Sequence, residues 1–417
     1  MRPPTAGCSA SEDKATAITG SSPERGRRIR LGMVGGGRDA FIGAVHRIAS
    51  RIDDHYELVA GCFSADPEKS RASGADLGLP ADRVYDDFET MAMREARRRG
   101  GIEAVAIVTP NHMHFPVARA FVGRGIAILC DKPLTATLAE ARRLVVIAEK
   151  AGAPFILTHN YTGDPMVRQA RAMVADGAIG DVRVVQVEYA QDWLTEPIER
   201  AGQKQAEWRT DPARSGAGGA IGDIGTHAFN LVTFVTGLAV EGLSADLHTF
   251  VEGRRVDDNA HVLMRLAGGA RGMMWASQVA PGNENGLRLR VYGTRGGLEW
   301  SQEEPNTLWH APFGEPPRRL TRANAGTGPA SRRLTRTPPG HPEGYLESFA
   351  NIYAEAARAI RAWQAGVPPA EDVLVPTIRD GLAGMAFVDA CVRSSRRNGA
   401  WVAVSASAPT APGAETD

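Results

Sequence analysis

Asp223 and His227 stand four residues apart in the run Gly216-Ala217-Gly218-Gly219-Ala220-Ile221-Gly222-Asp223-Ile224-Gly225-Thr226-His227. On a helix that spacing sets both side chains on one face. An imidazole beside a carboxylate can move a proton near neutral pH. Lys132, in Cys130-Asp131-Lys132-Pro133, lies 91 residues before Asp223. Its ammonium offers a point charge and three donors to a reacting oxygen. Nearer the N-terminus is Gly35-Gly36-Gly37, a turn that lets the main chain approach a pyrophosphate. Together these point to a bound redox cofactor, a cation at the reacting oxygen and a proton relay.

Each signal is weak alone, and each has an ordinary reading. Three glycines between a strand and a helix can be a plain turn, and a regular Gly-x-Gly-x-x-Gly would want glycine where Ala40 stands; Gly43 follows three residues later. Ser64 occupies the end of the second expected strand, where NAD enzymes usually carry an acid for the ribose diol. Lys69 and Arg71 follow it. That pattern predicts NAD(H) or NADP(H), with a 2′-phosphate tolerated; ordinary surface charges read equally well. Thr109-Pro110-Asn111-His112-Met113-His114 and Asp131-Lys132-Pro133 both fall at strand ends, where parallel sheets bind ligands. Pro-Asn turn chemistry and a surface lysine are the plain alternatives.

These residues need elements to hold them. Apolar runs at 29–34, 56–63, 104–108, 127–130 and 155–158 alternate with helical patterns at about 42–51, 66–77, 116–124 and 138–151. Strands and helices alternating at this spacing predict βαβ units and a doubly wound parallel sheet of Rossmann type. After Asn160 the rhythm changes. A helix at 165–176, a strand at 182–189 and the Asp223–His227 helix precede strand-like runs between 241 and 310. That predicts an α+β domain with a large antiparallel meander. Residues 314–340 read as an irregular excursion, and helices at 346–365 and 376–394 close the chain. The expected organisation is a disordered tail over 1–28, a dinucleotide-binding domain over 29–158, a substrate and oligomerisation domain over 159–404, and a loose tail over 405–417.

Composition narrows the function classes. The 48 basic and 48 acidic residues balance, which argues against nucleic-acid binding by bulk charge. No apolar run approaches the roughly 20 residues needed to span a bilayer. Cys8, Cys62, Cys130 and Cys391 fit no zinc or Cys-x-x-Cys spacing, so no metal site is expected. Arg27-Arg28 superficially resembles a twin-arginine signal, but the apolar stretch behind it is too short, and the expected location is cytoplasmic.

The order of these elements resembles the Gfo/Idh/MocA family over about residues 29–400. Asp131-Lys132-Pro133 is similar to its Glu-Lys-Pro motif, Asp223-Ile224-Gly225-Thr226-His227 to its Asp-x-Gly-x-His helix, and Pro110-Asn111-x-x-His114 to its strand-end element. The resemblance implies an NAD(P)-dependent oxidoreductase acting on a sugar, glycoside or cyclitol. Lys132, Asp223 and His227 would form the catalytic group: His227 takes the hydroxyl proton, Lys132 polarises the oxygen, and Asp223 holds substrate and orients His227. Gly35, Gly36, Gly37, Ser64, Lys69, Thr109, Pro110, Asn111, His114, Asp131, Lys132, Trp208 and Arg209 would line the cofactor side. Asn160 and Tyr161 would join the catalytic three on the polyol; Gln191, Trp193 and His341 are further residues of suitable type. The resemblance also implies a homodimer or homotetramer paired through the antiparallel sheet. The competing class is a non-catalytic dinucleotide- or sugar-binding regulator on the same fold, which need not retain Lys132, Asp223 and His227. Imine or enone reduction is the alternative within enzymes.

Overall fold

The computed structural model describes residues 27–406. The expected tails lie almost wholly outside these residues, as does Cys8. Five strands alternate with helices in the first part: β1 (Ile29–Gly35), α1 (Phe41–Ile52), β2 (Tyr56–Cys62), α2 (Pro67–Asp76), α3 (Phe88–Arg97), β3 (Ala104–Val108), α4 (His114–Phe121), β4 (Ala127–Cys130), α5 (Leu138–Ala151) and β5 (Phe155–Leu157). The strands form one parallel sheet in the order β2-β1-β3-β4-β5. β3 is buried along its whole length, as an apolar strand covered on both faces must be. Asp66 caps α2 by accepting from the Glu68 and Lys69 amides, and Thr137 caps α5, so the helices start where the sequence supplies an acceptor.

The second part runs α6 (Pro165–Ala175), β6 (Val182–Ala190), α7 (Lys204–Arg209), α8 (Pro212–Ser215), one π-helical turn (Ile221–Gly225) and α9 (Thr226–Thr236). Strands β7 (Val240–His248), β8 (Asn259–Leu266), β9 (Arg271–Ser277), β10 (Gly286–Gly293), β11 (Gly296–Ser301), β12 (Thr307–Pro312) and β13 (Arg318–Thr321) follow. Then come α10 (Pro329–Arg332), α11 (Tyr345–Gln364), α12 (Ile378–Ser395) and β14 (Val402–Ala403). The nine strands order as β13-β12-β11-β10-β6-β9-β8-β7-β14. All neighbours are antiparallel except β6 and β9, which run parallel. The meander is therefore interrupted: the chain leaves β6, crosses one face through α9, re-enters at β7 near the sheet edge, and returns through β8 to β9, which lies beside β6 and runs in the same direction. Side chains from α6, α9 and α12 share one core with the inner face of this sheet.

Two further differences from the expected organisation bear on the site. The excursion over 314–340 carries β13 and α10, and Arg322 ties it down through bonds to Asn306 and Glu343. The long helix α11 packs on the first sheet: Phe349, Ile352, Tyr353 and Ile360 share a core with Ile29, Leu31, Met33, Val45 and Tyr56. The opposite face is covered by α3, α4 and α5, with Ile378 and Met385 of α12 joining them. No helix among the described residues is long and apolar enough to cross a membrane.

Candidate functional site

The glycine turn leaves β1 with Gly35 and Gly36 at φ 83° and 71°. A Cβ on Gly35 would meet the Val108 carbonyl at 2.7 Å, and one on Gly36 would meet Gly43 Cα at 2.8 Å. Gly43, within α1, therefore supplies the close strand–helix packing that a third fingerprint glycine normally gives, and Ala40 is only the residue before the helix. The loop is a bare main-chain cradle beside the buried, unpartnered Thr109 hydroxyl, which fits a pyrophosphate-bearing dinucleotide. At the end of β2, Ser64 accepts from the Asp66 amide. The cations nearby are paired: Lys69 with Asp39 at 2.7 Å, Arg38 with Asp76 at 2.6 Å, and Arg71 with Asp86 at 2.6 Å.

The strand-end motifs divide their work. Asn111 donates to the Ser215 carbonyl at 2.9 Å and so ties the cofactor domain to the segment entering the Asp223 turn. His114 is fully buried; its ring nitrogens face the carbonyls of Pro133 at 2.7 Å and Thr109 at 2.9 Å. It braces the two loops from behind and does not line the cleft. Asp131 accepts from the Lys132 amide and the Thr158 hydroxyl, which fixes the direction in which Lys132 leaves β4.

Lys132 reaches across the domains. Its Nζ donates to Asp223 Oδ1 at 2.7 Å and to the Asp223 carbonyl at 2.8 Å. Asp223 Oδ2 accepts from Arg209 Nε at 3.2 Å and Gln278 Nε2 at 3.0 Å. Burial by itself would raise the Asp223 carboxyl, but the charges of Lys132 and Arg209 outweigh it and hold it well below the usual carboxylate range. Arg209 also lies over the Trp208 ring, 4.2 Å from its centre. The helix that carries Asp223 begins as a π-turn, a distortion that often marks functional sites. Asp257 sets its entry: Oδ1 accepts from the Gly219 amide at 2.7 Å and Oδ2 from the Ile221 amide at 2.8 Å.

His227, one turn on, is buried, and its Nδ1 has no partner. Burial, then the Lys132 and His159 charges, push its pKa well below the ordinary value, so the ring is neutral. The Asp223 carboxylate bonds to Lys132, Arg209 and Gln278, and no hydrogen bond joins it to His227 among the described residues, so it does not orient His227 that way. Aromatic edges do that: the rings of Tyr161, His159 and Tyr189 lie 5.0, 5.5 and 6.2 Å from it. Asn160 is buried and donates to Ser348 Oγ at 3.4 Å. Gln191 and Trp193 lie on the same wall, joined by an indole bond of 3.1 Å. His341 is exposed and its carbonyl binds Thr337. Sequence reasoning missed His159, Tyr189, Gln278, Asn285 and Asp257. His159 adjoins Asn160 and was within reach of that motif; the others carry no local signal.

Two family models match the chain: the oxidoreductase family with an NAD-binding Rossmann fold over residues 29–159, and the GFO/IDH/MocA C-terminal domain over 167–299. The chain belongs to the Gfo/Idh/MocA family. It is thus an NAD-binding oxidoreductase of the sugar and inositol dehydrogenase type. The uncharacterized oxidoreductase YfiI of Bacillus subtilis is 36% identical over 379 residues, spanning 90% of this chain and 96% of the relative. An oxidoreductase from Sinorhizobium meliloti, known as a crystal structure, is 61% identical with a TM-score of 0.83, covering 90% of this chain and all of that one. An inositol dehydrogenase homolog from Azotobacter vinelandii, solved with NADH and myo-inositol, is 37% identical with a TM-score of 0.84, covering 90% and 98%.

Proposed function

We propose that this Gfo/Idh/MocA enzyme oxidises a secondary ring hydroxyl of a cyclic polyol, a cyclitol or sugar, in the cleft between Lys132 and His227. The observation that carries the reading is the Lys132–Asp223 pair, built from opposite domains and set beside a neutral histidine. Lys132 uses two donors on Asp223 and keeps a third for the substrate oxygen. Asp223, ionised, offers hydrogen-bond acceptance to a neighbouring hydroxyl. His227 takes the reacting proton at Nε2, since Nδ1 is buried and has no hydrogen-bond partner among the described residues. The dinucleotide, when bound by the Gly35–Gly37 cradle, supplies the hydride acceptor. The buried rings of Tyr161 and Tyr189 pack edge-on against the imidazole and exclude water from it. A pure sensor has no need of this arrangement.

NAD(H) is the favoured dinucleotide, because Lys69 and Arg38 are each neutralised by an acid; NADP(H) is accepted more weakly. A panel of polyols led by myo-inositol, assayed for NADH formation at mildly alkaline pH, tests the activity. Turnover of at least one cyclic polyol is expected; silence across the panel with intact NAD(H) binding would favour the regulator. Dinucleotide titration by tryptophan fluorescence tests the cofactor, and tighter binding of NADP(H) would reverse that assignment.

A further inference from the structure

Asn285, in the turn between β9 and β10, bonds to four side chains around the His227 wall. Its Oδ1 lies 2.8 Å from the Tyr189 hydroxyl and 2.8 Å from Gln191 Nε2. Its Nδ2 lies 3.3 Å from the Tyr161 hydroxyl and 3.0 Å from Gln302 Oε1. The two tyrosine hydroxyls are 2.7 Å apart. The direction of every one of these bonds follows from one group. An indole N–H can only donate, so Trp193 Nε1 at 3.1 Å makes Gln191 Oε1 the acceptor. Gln191 Nε2 then donates to Asn285 Oδ1, and Asn285 Nδ2 faces Tyr161 and Gln302. Tyr189 must give its proton to Asn285, and Tyr161 must give its own to Tyr189. The three side chains close a ring of hydrogen bonds that all run one way.

Two consequences follow. Tyr161 has no proton left to donate to a polyol. Both phenols are pinned with their rings against His227, and removing any member loosens the others.

We infer that Asn285 is a positioning residue for the reaction at His227: by closing the ring with Tyr161 and Tyr189 it holds both phenol rings against the imidazole and shields it from water. The inference rests on His227 being the group that receives the proton. The groups facing the imidazole are His159 from the segment after β5, Tyr161 from the turn at 160–163, Tyr189 from β6, Lys132 from the end of β4 and Asp223 from the π-turn. Lys132, the cation among them, disfavours a second positive charge, and the tyrosine wall removes the water that would stabilise one.

Carbethoxylation of His227 by diethyl pyrocarbonate, read by peptide mass spectrometry across pH 5 to 8, tests this without any polyol present. The reagent attacks only the neutral ring, so its pH profile reports the protonation of His227 itself. A flat profile is expected for the wild-type enzyme. Asn285→Ala should react several-fold faster and show a rate that rises with pH through a midpoint of about 6, toward the ordinary histidine value. Tyr189→Phe, which keeps the ring body and removes one bond, should move the same way by less, and it carries the test if Asn285→Ala fails to fold. Flat profiles in variants whose near-ultraviolet circular dichroism matches the wild type would overturn the inference. Failure of the polyol panel would count against the proposed substrate class and leave this result untouched.

Discussion

Lys132 commits two of its three donors to Asp223, which leaves one direction in which it can help an incoming hydroxyl. Lys132→Ala and His227→Ala should each lower kcat by roughly 10²-fold or more, measured on whichever polyol the panel identifies. Near-normal turnover in His227→Ala would remove it from the proton path. The buried histidines also set an acid limit. Burial lowers the His159 pKa from 6.5 to about 4, so the unfolded chain takes up a proton that the folded chain refuses. Stability should fall as pH drops from 6.5 towards about 4, by up to about 3 kcal/mol for this residue. His159→Phe should flatten that part of a Tm-against-pH plot; an unchanged slope would show that other groups set it. Lys132, Asp223 and His227 were legible because each sits in a contiguous motif. Asn285 was not: it reaches Tyr161 across 124 residues, a proximity that only the sheet register creates.

The element that does most for the site is the short entry into α9. Three consecutive residues hang on Asp257: the Gly219 and Ile221 amides on its carboxylate, and the Ala220 amide on its carbonyl at 2.8 Å. A Cβ on Gly219 would stand 2.0 Å from that same carbonyl. Gly219→Ala should therefore push the π-turn away from Asp257 and cost about 1–3 kcal/mol, as overpacking of a tight contact does. Thermal melts together with kcat check it, since the displaced Asp223 should lose its bond to Lys132; wild-type stability and turnover would mean the turn adapts. Hydrophobic periodicity revealed α1, α2, α4, α5, α6, α9, α11, α12 and the five parallel strands, because each carries its own pattern. It did not reveal that β6 and β9 run parallel, because strand direction depends on the path of the intervening helix. Nor did it show α7 and α8, whose ten residues together are too short for a period to emerge.

At the scale of the molecule, the nine-stranded sheet buries one face against α6, α9 and α12 and leaves the other open. On that face Val184, Leu263, Met273, Tyr292 and Trp309 are each 41–50% exposed. The excursion over 314–340 extends the sheet edge with β13 and then turns toward the first domain, where Arg336 Nε bonds Asp53 at 2.8 Å. An apolar sheet face of this extent suits a second copy, and a homodimer or homotetramer is the proposed state. Light scattering at micromolar concentration should exceed the 44.5 kDa of one chain, and Leu263→Asp with Met273→Asp should return it to that value; a monomeric wild type would end the idea. The placement of α11 has a consequence in time as well as in space. Residues 345–364 complete a core begun at Ile29, so a ribosome making this chain exposes the nucleotide-binding sheet long before it can cover it. The domain that starts first finishes nearly last, and the part of its sheet face that α11 covers waits, beside α1, until residues 345–364 have been made.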